Sequence, residues 1–167
     1  MKCHILHILV SEVGDAVVVV SLKTTGYICM FLGEYLHTFD AKNRISLPSK
    51  FRKALGRTVV ITRGLDHCLY VFARKAWEKE AARYAAQVNG TAAERGLARL
   101  FLAGSFEGDI DTAGRVLIPE NLKSYAGIDA KAVIAGIADR VEVWEEEAWT
   151  KYTASIERDA DALAEKV

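Results

Sequence analysis

The sequence predicts an α+β fold built from two copies of one strand-rich unit related by a pseudo-two-fold axis. Two observations predict it. The run Asp40-Ala-Lys-Asn-Arg44 continues into Ile45-Ser-Leu-Pro48, then Phe51 and Gly56. Seventy-one residues later it returns as Asp111-Thr-Ala-Gly-Arg115, Val116-Leu-Ile-Pro119, Leu122 and Gly127. Further on, Phe72-Ala-Arg-Lys-Ala-Trp77 matches Trp144-Glu-Glu-Glu-Ala-Trp149. An internal repeat of this length signals two supersecondary units that stack or intertwine to bury a common core. What repeats most strictly is a charged turn, D-x-x-x-R, rather than a core stripe, and that directs attention to function.

Residues 1–29 differ in character from the rest of the chain. Their apolar runs, 1–10 and 16–20, are broken by Glu12, Gly14 and Asp15. Such runs fall short of the roughly 20 apolar residues a membrane helix needs, and no signal-peptide pattern is present. Translation is expected to start at Met30, just ahead of the repeat; the other reading is an additional strand over residues 17–22.

The repeated unit reads as strand, charged turn, strand, one or two helical turns, strand, hairpin, strand. The third variable position of the turn is Asn43 in one copy and Gly114 in the other. These residue types share a tolerance for positive φ, so a left-handed residue is expected there. Asp40 and Asp111 are placed to accept hydrogen bonds from backbone N–H groups within the turn. The strands after the turn, Arg-Ile-Ser-Leu and Arg-Val-Leu-Ile, alternate weakly and read as half-buried. Pro48 and Pro119 suit the first turn of a helix, and Gly56 and Gly127 suit its end.

Between the copies lies an insert. Residues 73–88 are rich in Ala, Lys, Glu and Arg and read as a helix that Asn89-Gly90 ends. Thr91-Ala-Ala-Glu94 is a capping box for a second helix to about Leu102, with Leu97, Leu100 and Phe101 as its apolar stripe. A final helix is expected over 146–166, with Trp149, Tyr152, Ile156 and Leu163 on its buried side. Trp77 and Trp149 read as core anchors rather than ligand stackers. The implied organisation is an extension over 1–29, a first repeat over 30–76, a helical insert over 77–103, a second repeat over 104–148 and a C-terminal helix over 149–167.

The chain has 22 basic and 22 acidic residues, so net charge implies no nucleic-acid partner. The local distribution does. Lys42, Arg44, Lys50, Arg52, Lys53, Arg57 and Arg63 fall in a stretch without a single Asp or Glu. The matching stretch of the second copy holds Arg115, Lys123 and Lys131 against Glu120 and Asp129. A basic patch beside an arginine turn suits phosphate neutralisation, with an arginine left for a guanine edge. Two blander readings remain: a salt bridge that braces a turn, and a solvated helix face that accounts for Lys50 and Lys53.

Other chemistry is set aside. Cys3, His4 and His7 are too few for a metal site. His67-Cys68 lacks a third orienting group for a catalytic dyad. Three dispersed cysteines imply no disulfide framework and fit a reducing cytoplasm. With no phosphate loop, nucleophile elbow or paired carboxylates, the chain reads as no enzyme, with no cofactor, no metal, no membrane association and no small-molecule substrate. The strongest enzymatic rival is a proton-transfer enzyme on a small barrel, requiring Asp111 or His67.

With these motifs in hand, the chain resembles the MraZ family of bacterial transcriptional regulators, built from two SpoVT-AbrB-like units. Met30-Phe31-x-Gly33, the two D-x-x-x-R turns, Arg44-Ile-Ser-Leu-Pro48 and Gly108-Asp109-Ile110-Asp111 carry the resemblance, which covers residues 30–152. It implies a pseudo-two-fold swapped-hairpin, AbrB-like β-barrel with appended helices. It also implies a ring homo-oligomer, commonly octameric, that binds short direct repeats in double-stranded DNA upstream of its own gene. That gene would lead the division and cell-wall cluster, which such a regulator usually represses, so a cytoplasmic, nucleoid-associated protein is expected. The family's DNA-reading arginine falls on Arg44. The expected DNA-binding set is Arg44, Lys42, Asn43, Asp40, Arg52, Lys53 and Arg57: Asp40 would orient Arg44 in the turn that Asn43 shapes, and Lys42, Arg52, Lys53 and Arg57 would neutralise phosphate. Asp111, Gly114 and Arg115 are expected to serve structure or protomer contacts, because their surroundings are less basic. The alternative is a ring-forming scaffold whose basic patch binds an acidic partner without reading sequence.

Overall fold

A computed structural model describes residues 12–13, 16–17 and 30–165 of the chain. Strands β1 (Glu12–Val13) and β2 (Ala16–Val17) pair antiparallel. The expectations for residues 1–29 otherwise fall outside the described residues.

From Met30 onward the two copies run through the same order of elements. The first comprises β3 (Phe31–Thr38), β4 (Arg44–Ser46), α1 (Ser49–Leu55), β5 (Thr58–Arg63) and β6 (Leu69–Ala73). The second comprises β7 (Phe106–Asp109), β8 (Arg115–Leu117), α4 (Glu120–Tyr125), β9 (Lys131–Ala138) and β10 (Arg140–Glu145). Helices α2 (Arg74–Ala85) and α3 (Ala92–Leu102) join them, and α5 (Glu146–Ala164) completes the order. The helices α1 and α4 begin directly after Pro48 and Pro119. Gly56 ends the first at φ 80°, and Gly127, at φ 64°, lies just beyond the end of the second.

The copies are intertwined rather than stacked. Six strands form one antiparallel sheet in the order β3-β9-β10-β6-β5-β7. Strand β3 of the first copy pairs with β9 of the second, and β7 of the second with β5 of the first. The pseudo-two-fold axis passes between β6 and β10, which pair with each other, Val71 opposite Val141. The sheet is open, with β3 and β7 at its edges; β4 and β8 form a separate two-stranded ribbon.

That ribbon closes the main core. Ile45 and Val116 are fully buried and pack with Phe51, Leu122, Val59, Ile61, Ile134 and Val143. The opposite face of the sheet is covered by the α2–α3 hairpin. Along β6, Leu69 and Val71 enter the main core while Tyr70 and Phe72 meet Tyr84, Ala98 and Phe101. Burial on both faces explains why these strands read as continuous apolar runs.

In the insert, α2 ends at Ala85, short of the expected Val88, and α3 follows its Thr91 cap as far as Leu102. Thr91 and Glu94 make both bonds of the capping box, 3.3 Å and 2.6 Å. Two details differ. Leu97 is 41% exposed and Ala98 takes its place in the buried stripe. The face of α5 expected to be buried is open: Tyr152, Ile156 and Leu163 are 39–41% exposed, and no residue of α5 is fully covered. Its first turns meet the sheet, through Trp149 and Tyr152 against Trp144.

Candidate nucleic-acid interface

The two charged turns, far apart in sequence, meet on the outer side of the β4–β8 ribbon. Each is built alike. In the first, Asp40 Oδ1 accepts from the backbone N–H groups of Lys42 and Arg44, at 2.9 and 3.0 Å. In the second, Asp111 Oδ1 accepts from those of Ala113 and Arg115, at 3.0 and 2.9 Å. This is an Asx turn, in which the side chain replaces a backbone carbonyl. The chain then reverses through a left-handed residue, Asn43 at φ 56° and Gly114 at φ 80°, as the shared tolerance of the two residue types predicts.

The other carboxylate oxygen of each aspartate holds its arginine. Asp40 Oδ2 accepts from Arg44 Nε at 2.9 Å and lies 2.8 Å from Nη2. Asp111 Oδ2 takes Arg115 in the same way, at 3.0 Å from each nitrogen. The pairs are cross-linked: Arg44 Nη1 reaches Asp111 Oδ2 at 3.4 Å, and Arg115 Nη1 reaches Asp40 Oδ2 at 3.5 Å. The four side chains thus form one ion quartet with an internal two-fold. The Arg44 bond and the turn N–H groups hold the Asp40 carboxyl down at about 2. Backbone and side-chain bonds from Arg115 lower Asp111 likewise. Both carboxylates are therefore charged throughout the neutral range.

Helix cations cross from each copy to the turn of the other. The guanidinium of Arg52 on α1 lies directly over Gly114, where a Cβ would collide with it; its Nε is buried with no partner among the described residues. At the equivalent place on α4, Lys123 is 7% exposed, donates to Asn43 Oδ1 at 2.9 Å and sits over the Phe39 ring. Asn43 Nδ2 donates to Glu120 at 2.9 Å, so its amide is engaged within the protein. Backbone bonds between the copies, Leu47 N–H to Gly114 O and Ile118 N–H to Asn43 O, both 2.9 Å, fix the turns to each other.

The expected basic patch is therefore distributed. Lys42 lies exposed in the first turn and Lys53 exposed on α1. Arg57 projects into solvent beside Asp109, 4.0 Å away. Lys50 turns to the rings of Tyr35 and Phe51, and Arg63 to that of Tyr125. Arg44, Asp40 and Lys42 come together with Asp111, Gly114 and Arg115, which the sequence had assigned to separate roles. Sequence reasoning counted Lys123 and Glu120 only as charges and gave them no place in the site, although Lys123 is the repeat counterpart of Arg52. It also missed the outward face of the ribbon, Ser46 and Leu117.

Cys68 is buried, its thiol donates to Leu65 O at 3.2 Å, and burial pushes its pKa far up, which removes the thiolate a nucleophile needs. Among the described residues no cluster of His, Cys, Asp and Glu is arranged to hold a metal ion, and no helix is long and apolar enough to cross a membrane.

Comparison with known proteins finds a consistent set of relatives. A family model described as "MraZ protein, putative antitoxin-like" matches residues 30–100 and again residues 101–166. The chain is similar to the transcriptional regulator MraZ of Carboxydothermus hydrogenoformans, 42% identical over 138 residues, 83% of this chain and 96% of that protein. The transcriptional regulator MraZ of Acetivibrio thermocellus is 40% identical over 138 residues, again 83% and 96%. That of Desulfitobacterium hafniense is 42% identical over 135 residues, 81% of this chain and 94% of the relative.

Proposed function

The chain belongs to the MraZ family, and from that premise we propose that it is a transcriptional regulator that recognises specific DNA sequence through its first charged turn. The observation that carries the reading is the Asp40–Arg44 turn: a guanidinium fixed by a carboxylate and partly open to solvent, its side chain 29% exposed, at the surface of a two-stranded ribbon. A guanidinium has five N–H groups. Three of those on Arg44 are engaged by Asp40 and Asp111, which leaves two for a base edge. A bidentate arginine–guanine contact discriminates by about 1–3 kcal/mol. Lys42, Lys53 and Arg57, exposed nearby in sequence, neutralise phosphate, while Arg52 supports the second turn and adds charge behind it.

One such contact cannot specify a promoter, but several protomers side by side can, through effective concentration. The protein thus acts as a ring homo-oligomer, an octamer in the family pattern, on short direct repeats spaced roughly one helical turn, about 10 bp. The repeats lie upstream of its own gene, and binding represses the division and cell-wall cluster from a nucleoid-associated position in the cytoplasm. The exchange of β3 and β7 between copies supports the reading of the two sheets as a swapped-hairpin barrel.

Fluorescence anisotropy with the full chain tests the function. The DNA is that upstream of its own gene, with a scrambled control, at two salt concentrations. Wild type binds the native DNA in preference, and Arg44→Ala loses the preference while keeping salt-dependent binding. An Arg44→Ala protein that still selects the same sites would overturn the mechanism. Binding indifferent to sequence in the wild type would instead indicate a scaffold.

A further inference from the structure

We infer that the protein has a binding site for a small aromatic carboxylate between the α2–α3 hairpin and the sheet, where Arg83 and Arg140 line one aromatic cavity. The cavity has a volume of about 130 Å³. It lies on the face of the sheet opposite the β4–β8 ribbon, so the inference stands whether or not the charged turns read DNA. Tyr70 and Phe72 come to it from β6, Arg140 from the start of β10, Arg83 and Tyr84 from α2, and Phe101 from α3.

The rings form a continuous wall. Tyr84 stacks on Phe101 with 4.3 Å between centroids, and Phe101 stacks on Tyr70 at 6.0 Å. An apolar cavity of about 150 Å³ takes up a benzene molecule, and the space here is on that scale. Each end of the wall carries a guanidinium: Arg83 over the Tyr84 ring at 4.8 Å, Arg140 over the Tyr70 ring at 4.4 Å. Arg140 donates through Nε to Glu142 Oε1 at 3.1 Å, its Nη2 lies 3.1 Å from the same oxygen, and its Nη1 donates to Asp139 at 3.4 Å. Arg83 uses Nη2, for Tyr84 Oη and for Glu80, each at 2.9 Å. A guanidinium has five N–H groups, so both arginines keep N–H groups without a partner among the described residues. The second oxygen of Glu142 is taken by Trp144 Nε1 at 3.0 Å. The bond to Tyr84 strengthens the hold of Arg83 on its proton, whereas the charge of Arg140 opposes it. The two guanidiniums are thus near enough to repel, and an anion between them relieves the repulsion.

The internal repeat shows that the fold does not require these charges. At the spacing that relates Phe72 to Trp144, the counterparts of Arg140 and Glu142 are Cys68 and Tyr70. Both counterparts are buried in the aromatic layer beneath the insert. An ion pair with side chains 29% and 10% exposed carries a desolvation cost that less polar residues avoid. Its place beside a cavity and a second arginine is explained by a ligand rather than by packing. Charge and shape together select that ligand. A carboxylate offers two oxygens to two guanidiniums, and a planar ring meets the stacked wall. The side chain of Arg83 is 60% exposed and Leu65, which also lines the cavity, is 48% exposed, so the site opens to solvent there. A ligand bound in it ties β6 and β10 to the insert and stabilises the folded chain by mass action.

Isothermal titration calorimetry of the full chain with sodium benzoate tests the site. Benzoate is expected to bind saturably. Benzamide keeps the ring without the charge, and acetate keeps the charge without the ring; each should bind at least about tenfold more weakly. Arg83→Gln, a change at an exposed helix position, should weaken benzoate about tenfold, the scale of one charge-assisted hydrogen bond. Arg140→Lys keeps the charge beside Glu142 without the planar fork and should weaken it too. Arg74→Gln, on the same helix as Arg83 but paired with Glu107, should bind benzoate as the wild type does. No saturable heat with benzoate overturns the inference, as does equal benzoate affinity in Arg83→Gln and wild type. Benzamide or acetate binding as tightly as benzoate overturns it as well, because the site would then not select the two features together.

Discussion

Asp40 and Asp111 do two tasks with two oxygens: one oxygen closes a turn on the backbone, the other holds an arginine. The first task is local and could be inferred from Asx chemistry. The second brings a consequence for pH. The Asp40 carboxyl moves from 3.8 to about 2, chiefly through its bond to Arg44. A carboxyl with a depressed folded-state pKa stabilises the fold fully above its unfolded value, and that contribution is lost as pH falls towards the folded value. The turn is thus fully supported above about 3.8 and loses this support between 3.8 and about 2. Titration of the Asp40 carboxyl carbon by NMR should show a midpoint near the lower figure. In Arg44→Ala the midpoint should rise, though not to the ordinary value, because the backbone donors remain. A midpoint in Arg44→Ala unchanged from the wild type would show that the guanidinium does not set it.

The turn is also an element, and its two copies solve one steric problem differently. Asn43 occupies the left-handed region with a side chain that Lys123 and Glu120 engage. Gly114 occupies it with no side chain, and Arg52 fills the space a Cβ would take. Gly114→Ala therefore combines strain at positive φ with displacement of Arg52, and should cost about 1–3 kcal/mol in denaturant unfolding. Asn43→Gly keeps the backbone geometry and leaves Lys123 without its amide partner, at a cost of about 1–2 kcal/mol. Equal stability of Gly114→Ala and wild type would mean that Arg52 does not rest on this turn. The helices show how much of an element is local: the capping box of α3 forms as its four residues prescribe, whereas the stripe of the same helix shifts from Leu97 to Ala98 because the covering face is set by the sheet beneath.

At the scale of the whole molecule, part of the exposed apolar surface lies along one sheet edge and the helix beside it. Leu32 and Leu36 on the outer face of edge strand β3 are 57% and 54% exposed. Ile137 stands opposite Leu32, and Trp149 of α5 bonds Glu34 between the two leucines. Tyr152 and Ile156 continue along the helix with 39% and 41% exposure. Apolar side chains along a sheet edge mark an interaction surface, and self-association is the use that the proposed ring would make of it. Leu36→Glu should lower the solution mass measured by light scattering. It should also weaken binding to repeated sites more than to a single site, because it removes effective concentration rather than a base contact. An unchanged mass would place the protomer contact elsewhere.

The sequence by itself determined the doubled unit, the left-handed position in each turn, the side-chain-to-backbone bonds of Asp40 and Asp111, the start and end of α3, and the family. These are contacts between residues a few positions apart, or patterns that repeat in register, and chain-local geometry suffices to fix them. The tertiary structure alone decided that the copies exchange strands and that the two turns meet. Arg44 with Asp111, Arg115 with Asp40, Arg52 over Gly114 and Lys123 on Asn43 all join residues of different copies. Charge counting along the chain had separated a basic copy from a neutral one. Folding about the pseudo-two-fold axis places both arginines in one cluster, because antiparallel pairing of β4 with β8 brings equivalent positions together whatever their local composition.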